Sequence, residues 1–161
     1  MESLSRRRAF KFGAALAVSL ALAACASSSN DAPNGAATPG SLQDFTANVG
    51  DRVFFETDSS ELTQTAQNTL DKQATWLNRY SRYTFTIEGH ADERGTREYN
   101  FALGARRAET AKNYLVAKGV AVSRIKTISY GKERPVAVCD DISCWSQNRR
   151  AVTVLAGAPT S

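Results

Sequence analysis

Between residues 53 and 155 the apolar residues switch back and forth between a period of 2 and a period near 3.6. Tyr83-Thr84-Phe85-Thr86-Ile87-Glu88 alternates apolar and polar side chains and is rich in strand formers, which predicts a half-buried strand ended by Gly89. Before it, Ala66, Leu70, Ala74 and Leu77 recur at helical spacing, with Thr63 or Ser60 available as the cap and Trp76 at the edge of the stripe. After it, Phe101, Gly104, Ala105, Ala108, Ala111 and Leu115 predict the buried stripe of a second helix over 98–118, stopped by Gly119. Val53-Phe54-Phe55, Ile125 to Tyr130 and Ala151 to Leu155 read as further strands, and Pro135 opens an irregular excursion before the last of them. The order strand, helix, strand, helix, strand, strand permits crossovers and implies a layered α/β core.

The first 24 residues stand outside this pattern. RRRAFK at 6–11 precedes an uncharged, mostly apolar run over 13–24, the layout of an export signal. That run is too short to span a bilayer, which takes about 20 apolar residues. It ends in LAAC at 22–25, a lipobox with Cys25 as the acylation site. SRRRAFK also resembles a twin-arginine signal, so export of a folded or an unfolded chain stays open. Residues 25–44 read as a lipidated N-terminus and tether, because a stretch of Ser, Ala, Asn, Gly and Pro buries too little surface to repay the entropy of ordering. The remainder, 45–161, suits one domain. Arg6, Arg7, Arg8 and Lys11 against Glu2 lie in the signal, leaving 16 basic and 15 acidic side chains of the chain's 20 and 16. That balance argues against a nucleic-acid partner.

Cys139 and Cys144 remain after the lipobox. In an exported chain they read as a disulfide, with free or metal-bound thiols as the open alternative. Two thiols far in sequence from the single histidine, His90, do not complete a tetrahedral metal set. No serine sits in a nucleophile elbow, and no Gly-rich phosphate loop is present, so catalysis and cofactors are not expected. His90 reads as a satisfied structural histidine.

Asp92 lies just past the central strand, and Arg107 follows fifteen residues later at the border of a helical stripe. Facing one cleft, the pair suits a zwitterion: the carboxylate takes an ammonium and the guanidinium grips a carboxylate. Facing each other, they form an internal ion pair. The spacing leaves both open.

VFFETDSSEL at 53–62, EGHADERGTREYNFALGARRAETAKNYL at 88–115, ISYGKERP at 128–135 and NRRAV at 148–152 resemble the peptidoglycan-associated lipoproteins, within the OmpA-like C-terminal domain superfamily. CDDISCW departs from the commoner pattern and resembles alphaproteobacterial members. The resemblance implies an α/β (α+β) two-layer sandwich with helices packed on one mixed sheet. It implies non-covalent binding of the peptide stem of peptidoglycan, chiefly through meso-diaminopimelate, by Asp92, Arg107, Asp58 and Thr57, with Arg94, Asn100 and Leu103 lining the cleft. It implies no catalysis, an acyl anchor at Cys25 in the outer membrane with the domain facing the periplasm, and participation in the Tol system through TolB. A role mainly as a protein-docking subunit of that system, with weak glycan binding, is the alternative.

Overall fold

The computed structural model describes residues 37–156; Cys25 and the expected export signal lie outside them. Four strands form one mixed sheet in the order β1-β4-β2-β3, where β1 is Arg52–Phe54, β2 Phe85–His90, β3 Ile125–Gly131 and β4 Arg150–Leu155. β4 runs antiparallel to both β1 and β2, while β2 and β3 are parallel. Parallel neighbours need a crossover, and helix α3 (Arg97–Ala117) provides it. Helix α2 (Gln64–Arg79) precedes β2. The expected layered architecture is therefore present, with each strand and both long helices within two residues of the bounds read from periodicity. Among the described residues no helix is long and apolar enough to cross a membrane.

The core lies between the two long helices and one face of the sheet. Leu70 and Leu77 of α2, Ala108, Ala111 and Leu115 of α3, and Val53, Phe85, Ile87, Ile125 and Ala151 of the strands form one buried cluster. Each large apolar side chain buried here contributes about 1.5–3 kcal/mol, more than a surface ion pair at about 0–1 kcal/mol. The other face of the sheet is open, with Phe54, Ile128 and Val154 exposed. Backbone meets backbone where Gly104 of α3 crosses Gly89 of β2. A Cβ on Gly104 would stand 2.5 Å from Ser129 Oγ, and one on Gly89 would collide with the Gly104 carbonyl.

Four features depart from the sequence reading. Phe101, expected in the buried stripe, is 57% exposed. The face of α3 that meets the sheet runs through Asn100, Leu103, Gly104, Arg107, Ala108, Ala111 and Leu115, and its polar members hide its phase. The cysteine segment is not wholly irregular: Ile142–Asn148 forms a short helix, α4, capped by Asp141, whose Oδ1 accepts from the Ser143 N–H at 2.7 Å. Cys139 and Cys144 are joined as a disulfide. The chain also docks earlier than residue 45. Helix α1 (Leu42–Asp44) and a π-turn at Phe45–Val49 pack on α2, Phe45 is buried, and the Gly40 carbonyl accepts from the Tyr83 hydroxyl at 2.8 Å. Asp44 anchors this segment by accepting from Trp76 Nε1 at 2.7 Å and from the Gly40 N–H at 2.8 Å. Composition alone suggests a tether there because the contacts that dock it, Asp44 with Trp76 and Gly40 with Tyr83, are with residues more than thirty positions away. The fourth departure is at His90. Its ring is buried beside Tyr130, but neither ring nitrogen has a hydrogen-bond partner, so it is structural without being satisfied.

Candidate functional site

At the C-terminal end of β2 the pairing with β3 shifts between Gly89 and His90, and the Ala91 N–H closes on the Gly131 carbonyl at 2.8 Å. This irregularity turns the chain out of the sheet and delivers Asp92 to a cavity rather than to another rung. The loop that follows is held by its own carbonyls. Asn100 Nδ2 donates to the Arg94 carbonyl at 2.7 Å, and Lys132 Nζ donates to the Glu93 and Gly95 carbonyls at 3.1 and 2.7 Å. Thr96 then caps α3, its hydroxyl accepting from the Tyr99 N–H at 3.2 Å.

The cavity holds about 260 Å³ and is lined by Thr57, Asp58, Asp92, Arg94, Gly95, Tyr99, Asn100, Leu103 and Arg107. All seven residues expected to bind from the resemblance thus border one concave site, although they come from the turn after β1, the loop after β2 and the first half of α3. Gly95 and Tyr99 are additions. Asp58 adopts the left-handed conformation, φ 56°, which Asp tolerates better than most residues. Its carboxylate accepts from the Tyr99 hydroxyl, tying the 57–60 turn to α3.

The charged groups are not arranged as a simple free pair. Asp92, 7% exposed, accepts from Arg94 Nη2 at 2.7 Å and Nε at 3.1 Å, and from Arg149 Nη1 at 3.4 Å. Burial works against charge on this carboxyl, yet the Arg94 and Arg149 hydrogen bonds prevail and hold its pKa below the usual carboxylate range. Arg107 is fully buried and does not pair with Asp92. Its guanidinium donates to three main-chain carbonyls, those of Ser59 at 2.8 Å, His90 at 2.8 Å and Glu56 at 3.1 Å. Burial, with Arg149 nearby, pushes its pKa down to about 10, so it stays cationic at neutral pH. Arg107, expected at the border of a helical stripe, is instead wholly inside: the side chain is the floor of the cavity and a structural fastener at once.

Tyr99 lines the cavity, while Arg149 and Trp145 touch its charged residues from outside it; none of the three was assigned to the site from the sequence. Arg149 Nε donates to the Phe55 carbonyl at 2.9 Å, which places its other end on Asp92. The doubled arginine at 149–150 was the available signal, but nothing in its spacing tells which one turns inward. Trp145 lies over the Arg94 guanidinium at 4.1 Å.

Comparison with known proteins identifies the family. Residues 54–149 match the OmpA family. The chain is 67% identical over 152 residues to the "Peptidoglycan-associated lipoprotein" of Mesorhizobium japonicum, covering 89% of this chain and 90% of that one. It is 61% identical over 168 residues to the protein of the same name from Agrobacterium fabrum, covering 98% and 93%. The crystal structure of the peptidoglycan-associated lipoprotein from Burkholderia pseudomallei superposes with a TM-score of 0.67 at 36% identity, covering 71% of this chain and 98% of that one. The C-terminal domain of Helicobacter pylori MotB, at 22% identity and a TM-score of 0.63, shares the fold. With its match across the OmpA domain and its identity to full-length relatives, this chain belongs to the peptidoglycan-associated lipoproteins of the OmpA family.

Proposed function

We propose that this protein binds the peptide stem of peptidoglycan without covalent chemistry and joins the outer membrane to the cell wall. The ligand group is the zwitterionic end of meso-diaminopimelate. Its ammonium meets the carboxylates of Asp92 and Asp58, and its carboxylate meets the guanidinium groups of Arg107 and Arg94. The observation that carries this reading is the convergence of two carboxylates and two guanidinium groups from three separate chain segments on one cavity of about 260 Å³. Arg107 spends three of its donors on carbonyls and retains others, as a guanidinium carries five N–H groups. The name of its relatives, peptidoglycan-associated lipoprotein, supports peptidoglycan as the polymer bound.

Acyl chains on Cys25 hold the protein in the outer membrane, the segment after Cys25 gives reach, and the domain faces the periplasm. More than one chain is needed for a stable hold. On the family resemblance, TolB docks near the same cavity, so wall binding and TolB binding exclude each other and coupling of the envelope layers is reversible during division. The protein acts as a tether of the Tol-Pal system and not as an enzyme.

Co-sedimentation with purified sacculi tests the binding. The wild-type lipoprotein should pellet with sacculi, and Asp92→Asn, with an unchanged circular dichroism spectrum, should lose at least about tenfold in affinity. Equal pelleting of both proteins would remove Asp92 from the site and with it this reading.

A further inference from the structure

We propose that Trp145 is a positioning residue of the ligand site, holding the Arg94 guanidinium against Asp92 from a helix outside the cavity. The inference rests on the binding reading above and extends it to α4, a segment that does not line the cavity.

An arginine on a loop with 41% of its side chain exposed ordinarily samples many rotamers. Arg94 has two constraints that fix one. Its Nε and Nη2 edge lies on Asp92 at 3.1 and 2.7 Å, and its Cζ lies over the Trp145 ring, 4.1 Å from the centroid. The indole N–H of Trp145 donates to the carboxylate of Glu93, the residue before Arg94, so one side chain grips the loop at two successive positions. A guanidinium held over an aromatic face and hydrogen-bonded along one edge is restrained from two directions. Nη1 then remains as the terminal nitrogen not spent on Asp92, available to a ligand carboxylate.

The helix that carries Trp145 is itself pinned. Its N-terminal side is closed by the Cys139–Cys144 disulfide. At its other end Asn148 accepts from the Val136 and Ala137 N–H groups at 2.8 and 3.2 Å and donates to the Ala137 carbonyl at 2.8 Å. The next residue, Arg149, reaches Asp92 at 3.4 Å. The segment from Cys139 to Arg149 therefore touches the site twice, through Arg94 and directly on Asp92. Fixing Arg94 before the ligand arrives removes an ordering cost from binding.

The test is calorimetry of the mature protein with the tripeptide L-alanyl-γ-D-glutamyl-meso-diaminopimelate. Trp145→Leu keeps an apolar body and removes the aromatic face; it should weaken binding about tenfold, while Trp145→Phe, which keeps a face, should stay within about threefold of wild type. Arg94→Ala should weaken binding to a similar extent, and adding Trp145→Leu to it should cost nothing more, because the two act as a unit. Wild-type affinity in Trp145→Leu, or effects of Trp145→Leu and Arg94→Ala that multiply, overturns the positioning role. Asp92→Asn is run beside them. If it loses affinity while Trp145→Leu does not, the site stands and the inference falls. If Asp92→Asn binds as wild type, the site reading falls and takes the inference with it.

Discussion

Buried charge and buried polarity at single residues carry most of what distinguishes this domain from a generic two-layer sandwich. Arg107 satisfies the carbonyls of Glu56, Ser59 and His90 from the middle of α3. Arg107→Ala strands those acceptors, so urea denaturation should show a loss of about 3–5 kcal/mol, a large part of the 5–15 kcal/mol that holds a domain together. Loss of wall binding by that variant would not separate contact from folding, which is why Asp92 is the better probe. His90 gives a pH signature. Burial, then the nearby Arg150, Arg134 and Arg52, lower its pKa to about 4 from 6.5. The unfolded chain takes up this proton more readily, so the neutral ring's contribution is complete above about pH 6.5 and is lost as pH falls through 4, by up to about 3 kcal/mol. Thermal melts from pH 7 to 4 should fall, and His90→Phe should fall less steeply; parallel curves would show that another group is responsible. Sequence revealed which residues are polar but not their partners. Arg107 looked like a border residue because nothing in its neighbours announces three carbonyls from two distant segments.

The elements were legible wherever a period ran long enough to be seen. α2, β2 and α3 declared themselves over ten residues or more of pattern in and around them, and Thr63 and Gly119 marked ends that the structure keeps. α4 has seven residues, too few for a period, and with Cys139 just before it and Cys144 within it the segment reads as a loop carrying two thiols. Phe101 was misassigned because the true inward face of α3 contains Asn100 and Arg107, which no hydrophobic pattern selects. The close crossing of α3 over β2 was visible only as a tolerance for small residues; the structure makes it a requirement. Gly104→Ala presses a methyl into Ser129 Oγ and the Gly89 backbone. It should lower the urea midpoint by an amount equivalent to about 1–3 kcal/mol, and a midpoint equal to wild type would mean that the helix can lift without cost. The Cys139–Cys144 bridge closes a short loop, for which chain entropy gives about 2 kcal/mol. The Cys139→Ser/Cys144→Ser protein should therefore fold, with a midpoint lowered by no more than that and with weaker hold on Arg94.

At the scale of the whole molecule the proposed function asks the chain to join two kinds of attachment. One would be hydrophobic, through acylation at Cys25; the other would be ionic, through a cavity of fixed charges. The first is an expectation from order alone (basic stretch, apolar run, lipobox), and its residues lie outside those the structure describes. Replacing Cys25 with Ser should abolish fatty-acid labelling and move the protein to the soluble periplasmic fraction, whereas continued labelling would place the lipid elsewhere. For the second, the long motif gave the residues that border the cavity, yet not their wiring. Asp92 is held by Arg94 and Arg149, and Arg107 by carbonyls, so the site is preorganised by internal partners that a ligand must join or replace. A crystal of the protein with a meso-diaminopimelate tripeptide distinguishes such a site from a mere structural network. The ligand's terminal ammonium should lie within hydrogen-bond distance of Asp92 or Asp58 and its carboxylate on Arg107 or Arg94. A peptide bound at another surface, with the Asp92–Arg94 cavity empty and unchanged, would contradict wall binding at this site.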